Sequence, residues 1–298
     1  MSTEIAALSW DLVGDFEQLT TYPFMVQALE AGTIVAVMAG AIGWFMVLRR
    51  QTFAGHTLSV IAFPGAAGAT LAGLPLALGY FGACGVAALA LAAVSSPTPG
   101  SQSSESAAIG TLQAFGLGLG FLFVSLYGGQ LASLESLLFG TFLGITAGQV
   151  RTLLWIALAA LIALAAIGRP LLFASVDGAV ARAAGVPTRL LALAFLLLLG
   201  LAVAATAEIT GALLVFALLV TPAATAQQIT ARPGPGLALS VALALAVAWA
   251  GLGIAYFSPY PVGFWVTSLS FGLYVLVRLL GVIRVRSSGP GEQAAGTA

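Results

Sequence analysis

Ala207-Glu208-Ile209-Thr210-Gly211-Ala212-Leu213-Leu214-Val215-Phe216-Ala217-Leu218-Leu219-Val220-Thr221-Pro222-Ala223-Ala224-Thr225-Ala226 is an apolar segment of near-bilayer length, with a glycine close to its start and a proline close to its end. A helix crossing a bilayer needs about 20 apolar residues. The rest of the chain has the same character: 60% of its residues are hydrophobic and 7% are charged, with a mean hydropathy of +1.07. Soluble domains carry roughly 25% charged residues, so the chain reads as a polytopic membrane protein. Unpaired backbone groups are costly in lipid, so the spans are expected to be helices.

Apolar runs near bilayer length lie at about residues 31–48, 58–74, 76–94, 107–127, 153–167, 190–207, 210–225, 237–255 and 264–280. The expectation is an all-α membrane helical bundle of about eight or nine spans, with the joint near Glu208 open to a broken-helix reading. All ten basic residues are arginines. With nine spans and the C-terminus inside, Arg49, Arg50, Arg169, Arg182, Arg189, Arg232, Arg284 and Arg286 fall on the cytoplasmic side and Arg151 outside, as the positive-inside rule requires.

The chain is read as one transmembrane domain over residues 1–298, with residues 1–30 an extracytoplasmic segment and 283–298 a flexible cytoplasmic tail. The first 30 residues carry five acidic and no basic side chains, which argues against a cleaved signal peptide. Residues 8–29 mix apolar and acidic positions around Trp10, Phe16, Tyr22 and Phe24 and read either as an interfacial helix or as a solvated leader. Residues 95–104, rich in serine and proline, read as a flexible linker.

Residues 177–187 read as a short cytoplasmic helix: Asp177 can cap it, Ala179 to Ala184 fill it, and Gly185 then Pro187 end it. An exposed, capped helix of this kind, including Ala181 and Arg182, is a handle that another protein can grip. The competing reading is an ordinary membrane-surface helix.

Several chemistries are excluded. The lone Cys84 has no intramolecular partner and reads as a small buried hydrophobe. Without lysine the chain carries no Walker A signature, so ATP-driven work needs a separate ATPase subunit. No catalytic group and no bound cofactor are expected, and nucleic acid is not an expected partner. His56, near the start of the second span, reads either as an interfacial structural residue or as a metal ligand. Glu208, between two apolar runs, reads either as part of an ion path or as a solvated group at the outer surface.

The order of the segments resembles the permease subunits of bacterial ABC importers for zinc, manganese or iron, the ABC-3 family. The resemblance rests on Val47 to Gly55 with its arginine pair, on Ser106-Ala107-Ala108-Ile109-Gly110 and on Leu137-Leu138-Phe139-Gly140. It rests also on Asp177 to Pro187, similar to the family's coupling segment, and on Gly211 to Ala226. The resemblance implies a type II ABC importer-like fold and a permease that pairs with a second copy in the bacterial plasma membrane. It also implies an extracytoplasmic solute-binding protein and an ABC ATPase subunit that grips Asp177, Ala181, Arg182 and Gly185.

The chain departs from the family pattern where an aspartate and a histidine one helical turn apart could touch a divalent ion. His56 and Val60 stand there instead, and Gly178 and Ala179 replace the usual proline and glutamate of the coupling segment. His56 is thus the one candidate metal ligand, and His56, Ser59, Glu208 and Thr221 are the candidate pathway residues, with Thr70, Thr210 and Gln227 adding sparse polarity. A metal complex or another small solute is an alternative cargo. A secondary transporter would need related halves that the sequence does not display, and a non-transporting scaffold gives no reason for the 177–187 helix.

Overall fold

The computed structural model describes residues 21–94, 102–127, 140 and 144–287. Ten helices follow one another: α1 (Pro23–Leu48), α2 (Thr52–Leu71), α3 (Leu76–Val94), α4 (Gln102–Leu126), α5 (Ala147–Val176), α6 (Gly178–Ala183), α7 (Thr188–Thr210), α8 (Ala212–Ile229), α9 (Pro233–Tyr256) and α10 (Val262–Ser287). No strand occurs among the described residues. Each of the nine expected spans corresponds to one helix.

Among the described residues, seven helices are long and apolar enough to cross a membrane: α1, α3, α4, α5, α7, α9 and α10. Of the two remaining expected spans, α8 is apolar but shorter, α2 carries glycine, proline and hydroxyl groups, and protein surrounds both. Helix α8 packs against α1, α2, α7, α9 and α10, and α2 packs against α3, α4, α7 and α8. A helix shielded by its neighbours can carry glycine, proline and hydroxyl groups that lipid would penalise. The centre is α1, 72% buried over its apolar window, whereas α4 and α10 at 17% form the periphery.

Sequence chemistry sets the helix ends. Pro23 opens α1, where its missing N–H costs nothing, so residues 23–29 belong to the first spanning helix and not to a separate interfacial helix. Residues 1–20 lie outside the described residues. Thr146 and Gln149 form a reciprocal capping box at the start of α5. Helix α4 begins at Gln102, so its first turn takes the last residues of the expected linker, and α10 continues to Ser287, into the expected tail.

Small residues let the helices approach. A Cβ on Gly65 of α2 would overlap the Gly79 carbonyl of α3, and one on Gly43 of α1 would overlap the Leu219 carbonyl of α8. In the run Gly116-Leu117-Gly118-Leu119-Gly120 of α4, Gly116 and Gly120 face Ile61 and Phe63, whereas Gly118 faces open space. Polar ties reinforce α1: Ser240 Oγ donates to the Gly40 carbonyl at 2.7 Å, and Gln227 Nε2 donates to the Trp44 carbonyl at 2.9 Å. Such interhelical bonds contribute roughly 0.6–2 kcal/mol each.

The two ends of the bundle differ. Tyr22, Phe24, Tyr256, Phe257, Tyr260, Phe264 and Trp265 cluster at the start of α1, the end of α9 and the start of α10. Amphipathic rings of this kind sit at membrane–water interfaces. Arg49 and Arg50 mark the other end, beside the last turns of α5 and the first turns of α7.

Candidate permeation pathway and coupling surface

The chain between α7 and α8 breaks at Gly211, whose φ of 74° and ψ of 160° lie in a region open almost solely to glycine. Thr206, Thr210 and Gly211 are buried, and Glu208 is half-buried. A Cβ on Gly140, itself at φ 74°, would overlap backbone atoms of Ile209, Thr210 and Gly211. The backbone of the joint is therefore packed against Gly140, while the Glu208 side chain keeps partial exposure. Glu208 lies within electrostatic range of the buried Tyr80 phenol on α3. The other residues of the expected Leu-Phe-Gly turn lie outside the described residues.

His56 stands in the second turn of α2, and its ring packs edge-on against Phe216 of α8, centroids 4.8 Å apart. Its Nδ1 is buried without a hydrogen-bond partner. Ser59 Oγ donates to the His56 carbonyl at 2.7 Å, and Val60 holds the next turn of the same helix. Thr221 lies further along α8, and its carbonyl accepts from Thr225 Oγ1 at 2.7 Å. The fold thus brings His56 together with Ser59 and Phe216. Phe216 was missed because one aromatic ring in an apolar run carries no pattern of its own.

Hydroxyls on these helices share a habit. Thr57 Oγ1 donates to Phe53 O, Thr70 Oγ1 to Ala66 O and Thr210 Oγ1 to Thr206 O, each at 3.0 Å and each across one helical turn. No group of three or more histidine, cysteine, aspartate or glutamate side chains placed to hold a metal occurs among the described residues.

At the arginine-marked end, Asp177 Oδ1 accepts from the N–H groups of Ala179 and Val180, both at 2.9 Å, and so caps α6 as its sequence position implies. The other end closes in a Schellman arrangement: Gly185 N–H donates to Arg182 O, Val186 N–H donates to Ala181 O, and Gly185 takes φ 81°. Ala181 is buried against the bundle, while Val180 and Arg182 face outward.

Arg49 ties this surface to the first loop, a role its sequence did not reveal. Its Nη1 donates to Ser175 Oγ at 3.2 Å, its Nε to Gln51 Oε1 at 3.4 Å, and its guanidinium lies 5.4 Å from the Phe195 ring centroid. Burial lowers the Arg49 pKa from its ordinary value, yet a guanidinium stays charged throughout the physiological range.

The sequence profile of the ABC 3 transport family matches residues 21–281. The chain belongs to that family. Among ABC 3 relatives, it is 33% identical over 217 residues to the manganese transport system membrane protein MntC of Halalkalibacterium halodurans, covering 73% of each chain. It is also 33% identical over 213 residues to the chelated iron transport system membrane protein YfeC of Yersinia pestis, covering 72% of this chain and 71% of that one. The ABC 3 fold seen here superposes with a TM-score of 0.78 on PsaBC from Streptococcus pneumoniae in complex with Fab, at 24% identity over 89% of this chain and 94% of that chain. Family membership accounts for the order of motifs. It does not restore the donor pair absent at His56 and Val60.

Proposed function

We propose that the chain is the permease subunit of a bacterial ABC importer for a divalent metal ion: manganese, iron or zinc. The observation that carries this reading is α6, a capped and terminated helix with one buried alanine and an outward valine and arginine, set in a family of ABC transport proteins. A separate ATPase grips it and supplies ATP hydrolysis, a solute-binding protein delivers cargo at the aromatic-rich end, and a second copy completes the pathway. His56, Ser59, Glu208 and Thr221 contribute to that pathway. Reconstitution with the ATPase and binding protein should give ATP-dependent uptake of labelled manganese, iron or zinc that needs all three components. Uptake by the permease alone, driven by an ion gradient, would identify a secondary transporter.

His56 packs against Phe216 and belongs to no group of three or more histidine, cysteine, aspartate or glutamate side chains among the described residues, and a lone imidazole holds a divalent ion weakly. In the same assay His56→Ala should lower uptake by only a few-fold, and His56→Asp with Val60→His should shift metal preference or slow release. Complete loss in His56→Ala, with assembly and ATP hydrolysis intact, would make this residue an essential ligand. The isolated imidazole also favours a second reading, a chelated metal as cargo, which the same apparatus tests with metal–chelate substrates.

Orientation follows from the arginine-rich end, which we place in the cytoplasm. Cysteine labelling from outside, in a Cys84→Ala background, should modify a cysteine near Asp15 and spare one near Ser103. Cys84 is fully buried with Sγ 3.7 Å from the Leu58 carbonyl, so the background change removes no surface group. The opposite labelling pattern would invert the topology.

A further inference from the structure

A cavity of about 1070 Å³ opens at the arginine-marked end among α2, α3, α4 and α7. Arg49, Arg50 and Arg189 line it, and no acidic residue among the described residues does. Arg49 is engaged with Ser175 and Gln51, but the guanidinium groups of Arg50 and Arg189 have no hydrogen-bond or ion-pair partner among the described residues. Arg50 is the sole described non-glycine residue with a positive φ, at 57°. That strained conformation turns the chain between α1 and α2 at the cavity rim. The first turns of α2 and α7 also border the cavity, and neither helix has a side-chain cap at its N-terminus. Their free N–H groups add positive potential to that of the guanidinium groups.

Apart from Gln51, Ser106 and Thr188, the remaining wall is apolar. Leu89 on α3 and Leu190 on α7 line the cavity while 52% and 66% exposed, and Leu193 continues the surface towards the bundle. A cationic rim above exposed leucines at a helix–membrane boundary matches a molecule with an anionic head and an acyl tail. We propose that this cavity binds an anionic phospholipid from the adjacent leaflet, with its phosphate held by Arg50 and Arg189 and its acyl chain laid along Leu89 and Leu190. Because Thr188 and Arg189 begin α7 directly after the coupling segment, bound lipid braces the segment that the ATPase is proposed to grip. The lipid site itself does not depend on that reading.

The test uses the purified full-length chain alone, delipidated and titrated with dioleoyl phosphatidylglycerol or dioleoyl phosphatidylcholine and followed by native mass spectrometry. The wild type should retain one phosphatidylglycerol with a preference on the order of 10-fold over phosphatidylcholine, as expected for two arginines near an anionic headgroup. Arg50→Gln with Arg189→Gln should remove the preference, and Arg50→Lys with Arg189→Lys should keep most of it, which separates loss of charge from loss of fold. Equal retention of both lipids, or a preference unchanged in the double glutamine variant, would overturn the proposal. Displacement of the phospholipid by millimolar inorganic phosphate would also overturn it, by reducing the site to a free-anion pocket without a role for the tail. Loss of ATPase co-purification in the double glutamine variant with the lipid preference intact would assign the cavity to the partner subunit instead.

Discussion

Replacing Gly185 with valine is expected to abolish ATPase co-purification while leaving the permease inserted in the membrane. A Cβ on Gly185 would meet nothing within 4 Å, so crowding is not the cause. The effect is conformational: at φ 81° a β-branched residue is strained, and without that turn Val186 N–H cannot reach Ala181 O. A six-residue helix depends on its ends, so losing its terminator unwinds the surface the ATPase must grip. Gly185→Asn, which tolerates the left-handed region, should retain most binding. Arg182→Glu keeps the helix but reverses an exposed charge and should also abolish co-purification. Normal co-purification and stimulated ATP hydrolysis in both Gly185→Val and Arg182→Glu would refute the assignment of α6 as the coupling helix.

The second large effect is expected at the α7–α8 joint. Gly140→Val must push its side chain into the backbone of Ile209 to Gly211, and Gly211→Val must place a branched residue where essentially glycine alone fits. Each should destabilise by on the order of 3 kcal/mol, from backbone strain plus overpacking. That corresponds to a fall of roughly 6–12 °C in the thermal transition in detergent for a chain of this size. Since both substitutions disturb one contact, the double variant should lose less than the sum. Transitions within a degree of wild type for both single variants would mean that the joint is not a tight structural contact.

These two sites also mark what the sequence could convey. Helix α6 was legible because its cap, body and terminator lie within eleven consecutive residues and act through the local backbone. The nine spans were legible for a similar reason, since hydropathy is local. The surroundings of Glu208 were not legible. The joint beside that carboxylate packs against Gly140, distant in sequence, and no local pattern records the approach. Arg49 was visible only as part of a charge pair, because Ser175 and Phe195 reach it through tertiary packing. The first span was read as starting at Ala31, although its helix begins at Pro23, because hydropathy does not register a helix that opens with polar Gln27 and Glu30.

The hydroxyls of this bundle impose a polarity on whatever they meet. Each serine or threonine has a single hydroxyl proton, and Thr57, Ser59, Thr70, Thr210 and Thr225 direct theirs to a carbonyl in the preceding turn of their own helix. What remains to face outward is lone-pair density. Wherever such a group borders water or cargo it can accept and coordinate but has no proton left to give. A passage lined this way would solvate cations and offer nothing to anions, so charge selectivity would arise from how the helices use their hydroxyl protons and would need no carboxylate at every turn.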